Sequence, residues 1–169
     1  MTNRFRYSAC LAGIGAIALI LCCTSAFKTP SLAGRINDFA NVLSADERAS
    51  LEREIIQFEN SSGAILVMVT VTSYQPFPSI SAFSAELFKN HGRGIGDATR
   101  NNGLLVVLAI RDLQVRITTG LGMEEVVTDR VATDVVQQMI PDFRRGAYGQ
   151  GLRSGLEALR RVFQESHSR

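Results

Sequence analysis

Two runs in this chain contain almost nothing but aliphatic side chains: AILVMVTV, from Ala64 to Val71, and LLVVLAI, from Leu104 to Ile110. Both are short, apolar and β-branched, which favours buried strands. An uninterrupted apolar strand has no wet face, so the sheet that contains it must be covered on both sides. The flanking segments have the period to do this. Ser44 followed by Glu47 is a capping box, in which each side chain satisfies the other's unpaired backbone N–H. Leu51, Ile55 and Phe58 come next at helical spacing, and Ser61-Ser62-Gly63 closes that helix. Pro76 and Pro78 mark a loop, after which Ile80, Phe83 and Leu87 line a second helix.

Beyond the second apolar run, Arg111-Asp112 makes a tight turn and QVRITT alternates as a half-exposed strand does. Val131, Val135 and Met139 then align along a helix that Pro141 is expected to interrupt. Leu152, Leu156, Leu159 and Phe163 form the stripe of a last helix. Apolar strands bracketed by amphipathic helices predict the α/β class, as one three-layer α/β/α sandwich over residues 34–165 with a tail at 166–169. There are no internal repeats and no low-complexity tracts.

The N-terminus reads as an export signal over residues 1–26. Arg4 and Arg6 form a basic start, Ala9 to Cys23 is apolar, and Thr24-Ser25-Ala26 fits a signal-peptidase site. The apolar run is shorter than the ~20 residues of a membrane-spanning helix, which favours cleavage. The alternative is retention as an anchor through residues 9–23, the one route to membrane contact. A lipoprotein signal needs a small residue before the modified cysteine, but Leu21 precedes Cys22. Residues 27–33, with Pro30, read as a linker. The expected location is periplasmic or otherwise extracytoplasmic.

All three cysteines (Cys10, Cys22 and Cys23) fall inside that signal. The mature domain is thus expected to carry no thiol nucleophile, disulfide or thiolate metal site. Losing Arg4 and Arg6 takes Lys+Arg from 18 to 16 against 16 Asp+Glu, so the mature net charge is near zero. That argues against a nucleic-acid partner.

The stretch RGIGDATRNNG, Arg93 to Gly103, poses the functional question. A phosphate cradle requires strand, glycine turn and helix in that order, so that helix N–H groups face the anion. Here the glycines come after a helix and precede a strand. Thr99 stands where the dinucleotide fingerprint wants glycine, and no Gly-Lys-Ser/Thr occurs, so a nucleotide cofactor is not expected. Gly120-Leu121-Gly122 has the right order, but Glu124 and Glu125 come directly after it. Those carboxylates repel a bare anion and suit a cation or a cation-bridged phosphate.

Taken together, RINDFANVLSADERASLE, GIGDATRNNGLLVVLAIRDLQVRITTGLGMEEVVTD and IPDFRRGAYGQGL resemble the TPM-domain family, which joins a thylakoid-lumen protein, a photosystem II repair protein and an animal modulator of acetylcholine receptors. The resemblance runs from about Gly34 to Leu159 with matching order and spacing. It implies an α/β/α sandwich, an export signal and a divalent-cation site. It also implies a proposed acid-phosphatase activity, alongside assembly and receptor-accessory roles without evident chemistry. On the family's pattern, Asp38 sits at the early ND position and Asn101-Asn102-Gly103 at NNG. Asp112 matches the acid of the strand-to-strand turn, Glu124 the glutamate after GxG, and Asp129 the aspartate of TD. The implied metal ligands are therefore Asp38, Asn102, Asp112, Glu124 and Asp129. Gly96, Asp97, Asn101, Gly103, Gly120 and Gly122 would frame the pocket. Two positions depart from the pattern: Leu121 replaces a frequent tyrosine, and Leu113 interrupts the turn pair after Asp112.

Each acid also has a structural explanation. Asp129 comes after Thr128 at a helix start, Asp112 occupies a hairpin turn, Asp97 suits a loop and Asp38 can cap a local turn. Asn-Gly readily makes turns with positive φ. The argument for a site is collective, because loops at one end of a covered sheet form a crevice where ligands bind. Oxygen donors without thiols or clustered imidazoles point to Ca²⁺ or Mg²⁺ over Zn²⁺. His91 and His167 are the only histidines and suit surface roles. Arg111, Arg116, Arg130, Arg144 and Arg145 could hold a phosphate or simply be solvated. Two functions are compatible with these features. One is an accessory factor that binds an envelope or membrane protein during assembly, repair or quality control. The other is a metal-dependent acid phosphatase, in which a cation on Asp112, Glu124 and Asp129 polarises a phosphomonoester and activates water.

Overall fold

A computed structural model of the chain describes residues 28–167. The expected export signal at 1–26, residue 27 and residues 168–169 lie outside the described residues. In chain order the elements are β1 (Ile36–Asp38), α1 (Ala45–Ser62), β2 (Ile65–Val71), α2 (Ile80–Lys89), β3 (Gly103–Ala109), β4 (Gln114–Thr119), α3 (Asp129–Arg144) and α4 (Tyr148–His167). Single 3-10 turns at Asn90–Gly92 and Leu121–Met123 join the larger pieces.

The sheet has the order β1-β2-β3-β4. Its first three strands are parallel, and β4 returns antiparallel beside β3. Register places Leu66 opposite Leu104 and Met68 opposite Val106. Successive side chains on a strand point to opposite faces, so this register sorts the two apolar runs into two cores. Leu66, Met68, Leu104, Val106 and Ile117 pack with α1, α3 and α4. Val67, Val69, Leu105 and Val107 pack under Ile80, Phe83 and Leu87 of α2. Three helices cover one face and one helix covers the other, which is the expected three-layer α/β/α arrangement.

The helix ends obey their sequence signals. Ser44 and Glu47 form the reciprocal capping box of α1, and Gly63 closes that helix with a left-handed φ of 72°. Four details differ from expectation. Residues Ile36–Asp38 form a short edge strand that has too few residues to show a period. Leu32 falls in the expected linker but is buried with the α2-side core. The helix α4 reaches His167 and so takes in the start of the expected tail. Pro141 does not interrupt α3, which continues to Arg144. Proline forfeits one helical N–H; Pro141 is exposed, and the buried Met139 and Asp142 on either side keep the last turn packed. Among the described residues no helix is long and apolar enough to cross a membrane.

Phe58 anchors the three-helix side. It is fully buried and meets Phe163 of α4 edge-on, with ring centroids 5.3 Å apart. Phe58→Ala is expected to cost about 3–5 kcal/mol, read as a lower midpoint in urea unfolding monitored by circular dichroism.

Candidate functional site

Because β4 runs against β3, the chain crosses the sheet between two segments that carry candidate ligands. The Ile110–Leu113 turn lies at the end where β1, β2 and β3 finish, and the loop after Thr119 lies where those strands begin. A strand of six residues spans about 20 Å. Asp38 and Asp112 belong to the first end; Asn102 and Glu124 belong to the second; Asp129 opens α3. The structure does not bring these five together, and one ion shared by all of them has no common centre. Among the described residues no group of three or more His, Cys, Asp or Glu side chains is placed to hold a metal ion.

Asp38 is engaged on both oxygens. One accepts from the Val42 N–H at 3.1 Å and from the Thr70 hydroxyl; the other accepts from the Leu43 N–H at 3.0 Å and from Arg48 at 3.4 Å. Its side chain has 0% exposure, and both oxygens are taken up by these donors. The carboxylate fastens the turn between β1 and α1 to β2. Burial alone would raise its pKa, but the Thr70 hydroxyl, the Leu43 and Val42 N–H groups and Arg48 outweigh burial and hold it below the ordinary 3.8.

The glycine-rich loop is an internally bonded corner. The Asn102 side chain is buried, accepting from the Asp97 N–H at 2.8 Å and donating to the Gly63 carbonyl at 2.5 Å. Thus the loop before β3 is tied to the end of α1. Asp97 accepts from the N–H groups of Thr99 and Arg100, both at 2.9 Å. Those bonds, Arg100 first, lower its pKa. Asn101 takes the left-handed φ of 49°, and its carbonyl receives the Gly122 N–H at 3.1 Å. The positive φ therefore falls at Asn101, one residue before the expected Asn-Gly pair. A Cβ on Gly103 would strike the Ile95 carbonyl, one on Gly120 the Asn101 carbonyl, and one on Gly122 the Arg100 carbonyl. Gly96 approaches Gly103 in the same crossing and has a φ of 88°. These glycines are where two loop backbones touch.

At the other end, Asp112 accepts from the Ser73 hydroxyl at 3.1 Å and from the Tyr74 N–H at 2.9 Å. It therefore stitches the β3–β4 turn to the loop after β2. Glu124 is exposed, and Asp129 sits exposed in the first turn of α3 after the Thr128 cap, where a carboxylate favours the helix dipole. Their carboxylates make no hydrogen bond or ion pair among the described residues. His91 lies exposed in the turn after α2; the His167 side chain is outside the described set.

Sequence reasoning missed two buried acids and one groove. Glu59 accepts from Arg35 at 2.7 Å and from the Leu66 N–H at 3.1 Å. Its place one turn beyond Ile55 on the apolar stripe was the available signal. Asp142 accepts from the Ser154 hydroxyl at 2.8 Å and from Arg145. The groove lies between β4 and α3. Its deeper part, 240 Å³, is lined by Leu108, Ile110, Val115, Ile140 and Phe143, with Arg144 and Tyr148 also on its wall. Its shallower continuation passes Arg116 and Ile117 to Asp129 and Thr133. Leu113 and Leu121, both departures from the family pattern, flank β4 with exposures of 88% and 73%.

Two substitutions check the structural duties of the candidate ligands. Asp38→Asn is expected to lose about 1–3 kcal/mol at neutral pH, because an amide cannot accept from four donors. The depressed folded pKa stabilises the protein above 3.8 and ceases to do so as pH falls through the folded value. The variant's stability should therefore decline less steeply than the wild type's below pH 3.8, as read from urea midpoints across that range. Asn102→Ala strands the Gly63 carbonyl and the Asp97 N–H and is expected to cost about 1–3 kcal/mol, measurable by thermal unfolding.

Comparison with known proteins agrees with this architecture. The N-terminal domain of a protein from P. gingivalis, solved by NMR, is 30% identical over 78% of this chain and 82% of that one, with a TM-score of 0.68. The N-terminal domain of the cg2496 protein from Corynebacterium glutamicum shares the fold at 17% identity, covering 82% of this chain and 87% of that one, TM-score 0.59. The BA42 protein from Bizionia argentinensis does so at 19% identity, covering 73% and 82%, TM-score 0.60. No curated protein matches the chain. The sequence profile of the TPM domain matches residues 36–162, which span every strand and most of α4, and the chain belongs to the TPM domain family.

Proposed function

We propose that this chain is an exported accessory module that binds a protein partner of the cell envelope, and that its acids serve architecture more than phosphoryl chemistry. The observation that carries the reading is the dispersal of the candidate ligands. Asp38, Asn102 and Asp112 are committed to backbone and hydroxyl partners, and Asp112 stands a strand-length from Glu124. A phosphatase that held its cation on Asp112, Glu124 and Asp129 would need those three around one point. Near-neutral mature charge, inferred from the sequence, favours a protein partner over nucleic acid.

The divalent cation implied by the family keeps a narrower place in this proposal. Glu124 and Asp129, between the end of β4 and the start of α3, are the two expected ligands with uncommitted carboxylates. Two carboxylates provide fewer oxygens than the six to eight that Ca²⁺ takes. Water would complete the shell, and binding would be weak.

The purified full chain should hydrolyse p-nitrophenyl phosphate with Ca²⁺, Mg²⁺ or Mn²⁺ no faster than its Asp112→Ala/Asp129→Ala double variant. Calorimetric titration should show weak cation binding that Glu124→Gln removes and Asp112→Asn leaves intact. Crosslinking in cells should recover envelope proteins. Robust turnover abolished by the double variant, with no crosslinked partner, would reinstate the phosphatase.

A further inference from the structure

Among the described residues β4 is an edge strand, with β3 on one side only. The Gly120 N–H donates to the Gly103 carbonyl at 2.8 Å, which fixes the phase of the antiparallel ladder. Gln114, Arg116 and Thr118 consequently turn their backbone groups toward β3, and Val115, Ile117 and Thr119 turn theirs outward. An edge with unpaired N–H and C=O groups is a template for another strand, and proteins usually blunt it with proline, lysine or a covering segment. β4 contains no proline and a single charged residue, Arg116, and the groove to α3 lies alongside it.

We propose that this edge and its groove hold an extended segment of a partner polypeptide, carrying a large apolar residue beside a carboxylate. The segment adds a fifth strand by pairing with Val115, Ile117 and Thr119. Main-chain bonds supply affinity in this mode of recognition, and side-chain pockets supply selectivity. The 240 Å³ cleft opens beside the strand as a side-chain pocket would. Arg144 lines the cleft and Arg111 lies in the adjoining turn, whereas the Arg116 side chain, opposite Val107, points to the α2 face. Arg144 and Arg111 are exposed, and neither joins an ion pair among the described residues. Glu124, Glu125 and Asp129 stand toward the opposite end, so the groove is electrically polarised and sets which end of the segment is acidic. The exposed Leu113 adds apolar contact at the cleft.

The inference rests on the accessory-module reading and deepens it. A phage-displayed library of random octapeptides, panned against the immobilised full chain, should enrich β-branched sequences with a large apolar residue next to Asp or Glu. A fluorescein-labelled copy of the leading peptide should lose at least tenfold in affinity on Val115→Pro, which deletes an outward N–H and spares the β3 ladder. Arg144→Glu should lose a similar factor, and Phe39→Ser at the far edge should lose none. Circular dichroism confirms that each variant is folded; if Val115→Pro unfolds, Arg144→Glu carries the test. Selected peptides that bind both groove variants at full strength would overturn the groove and leave the module reading standing. Failure to enrich any peptide on the folded wild-type chain would also overturn the groove, whereas the crosslinking and turnover assays decide the module. A concentration-dependent dimer dissolved by Val115→Pro would assign the edge to a second copy and overturn the peptide proposal.

Discussion

The dry pairing of β2 with β3 is the constraint from which the rest of this domain is built. Seven registered positions join two strands that are apolar along nearly their whole length. Neither face tolerates water, so each must be roofed, and the two roofs are unequal. One holds three helices around Phe58, Met139 and Leu156; the other holds α2 alone. The unequal cover stems from chain order. Both α3 and α4 come after β4, on the side that α1 already occupies, and α3 leaves the outer margin of β4 accessible along a groove.

Much of this was legible because each element carried its own punctuation. The capping box placed the start of α1 and Gly63 its end, and the stripes of Leu51, Phe83 and Leu152 located the helix faces. Pro141 misled because a proline breaks a helix only where nothing else holds the next turn. Here Asp142, bonded to Ser154 and Arg145, does hold it. β1 escaped notice because three residues cannot display a period, and Leu32 because one apolar residue near Pro30 looks like a linker.

The site was less legible, for a reason that was itself written in the sequence. A tight turn at Arg111-Asp112 obliges β4 to reverse, and a reversed strand delivers the next loop to the opposite end of the sheet. Spacing along the chain placed Asp112, Glu124 and Asp129 within one short segment; topology separated Asp112 from the other two. Short-motif matching cannot distinguish an acid that coordinates from one that accepts backbone N–H groups, since both need a fixed carboxylate. Asp38 and Asp97 illustrate the second use, each gripping two successive amides of its own loop.

The crossing at Gly103, Gly120 and Gly122 changes how an abundance of glycine should be understood. Residues without a side chain are commonly equated with looseness, yet here they occupy places where one main chain lies directly against another. Their smallness permits compaction, and the adjoining Asn102 clamps the junction to α1. The corner behaves as a rivet and not as a joint. Any lengthening of the chain here would require rebuilding both loops at once.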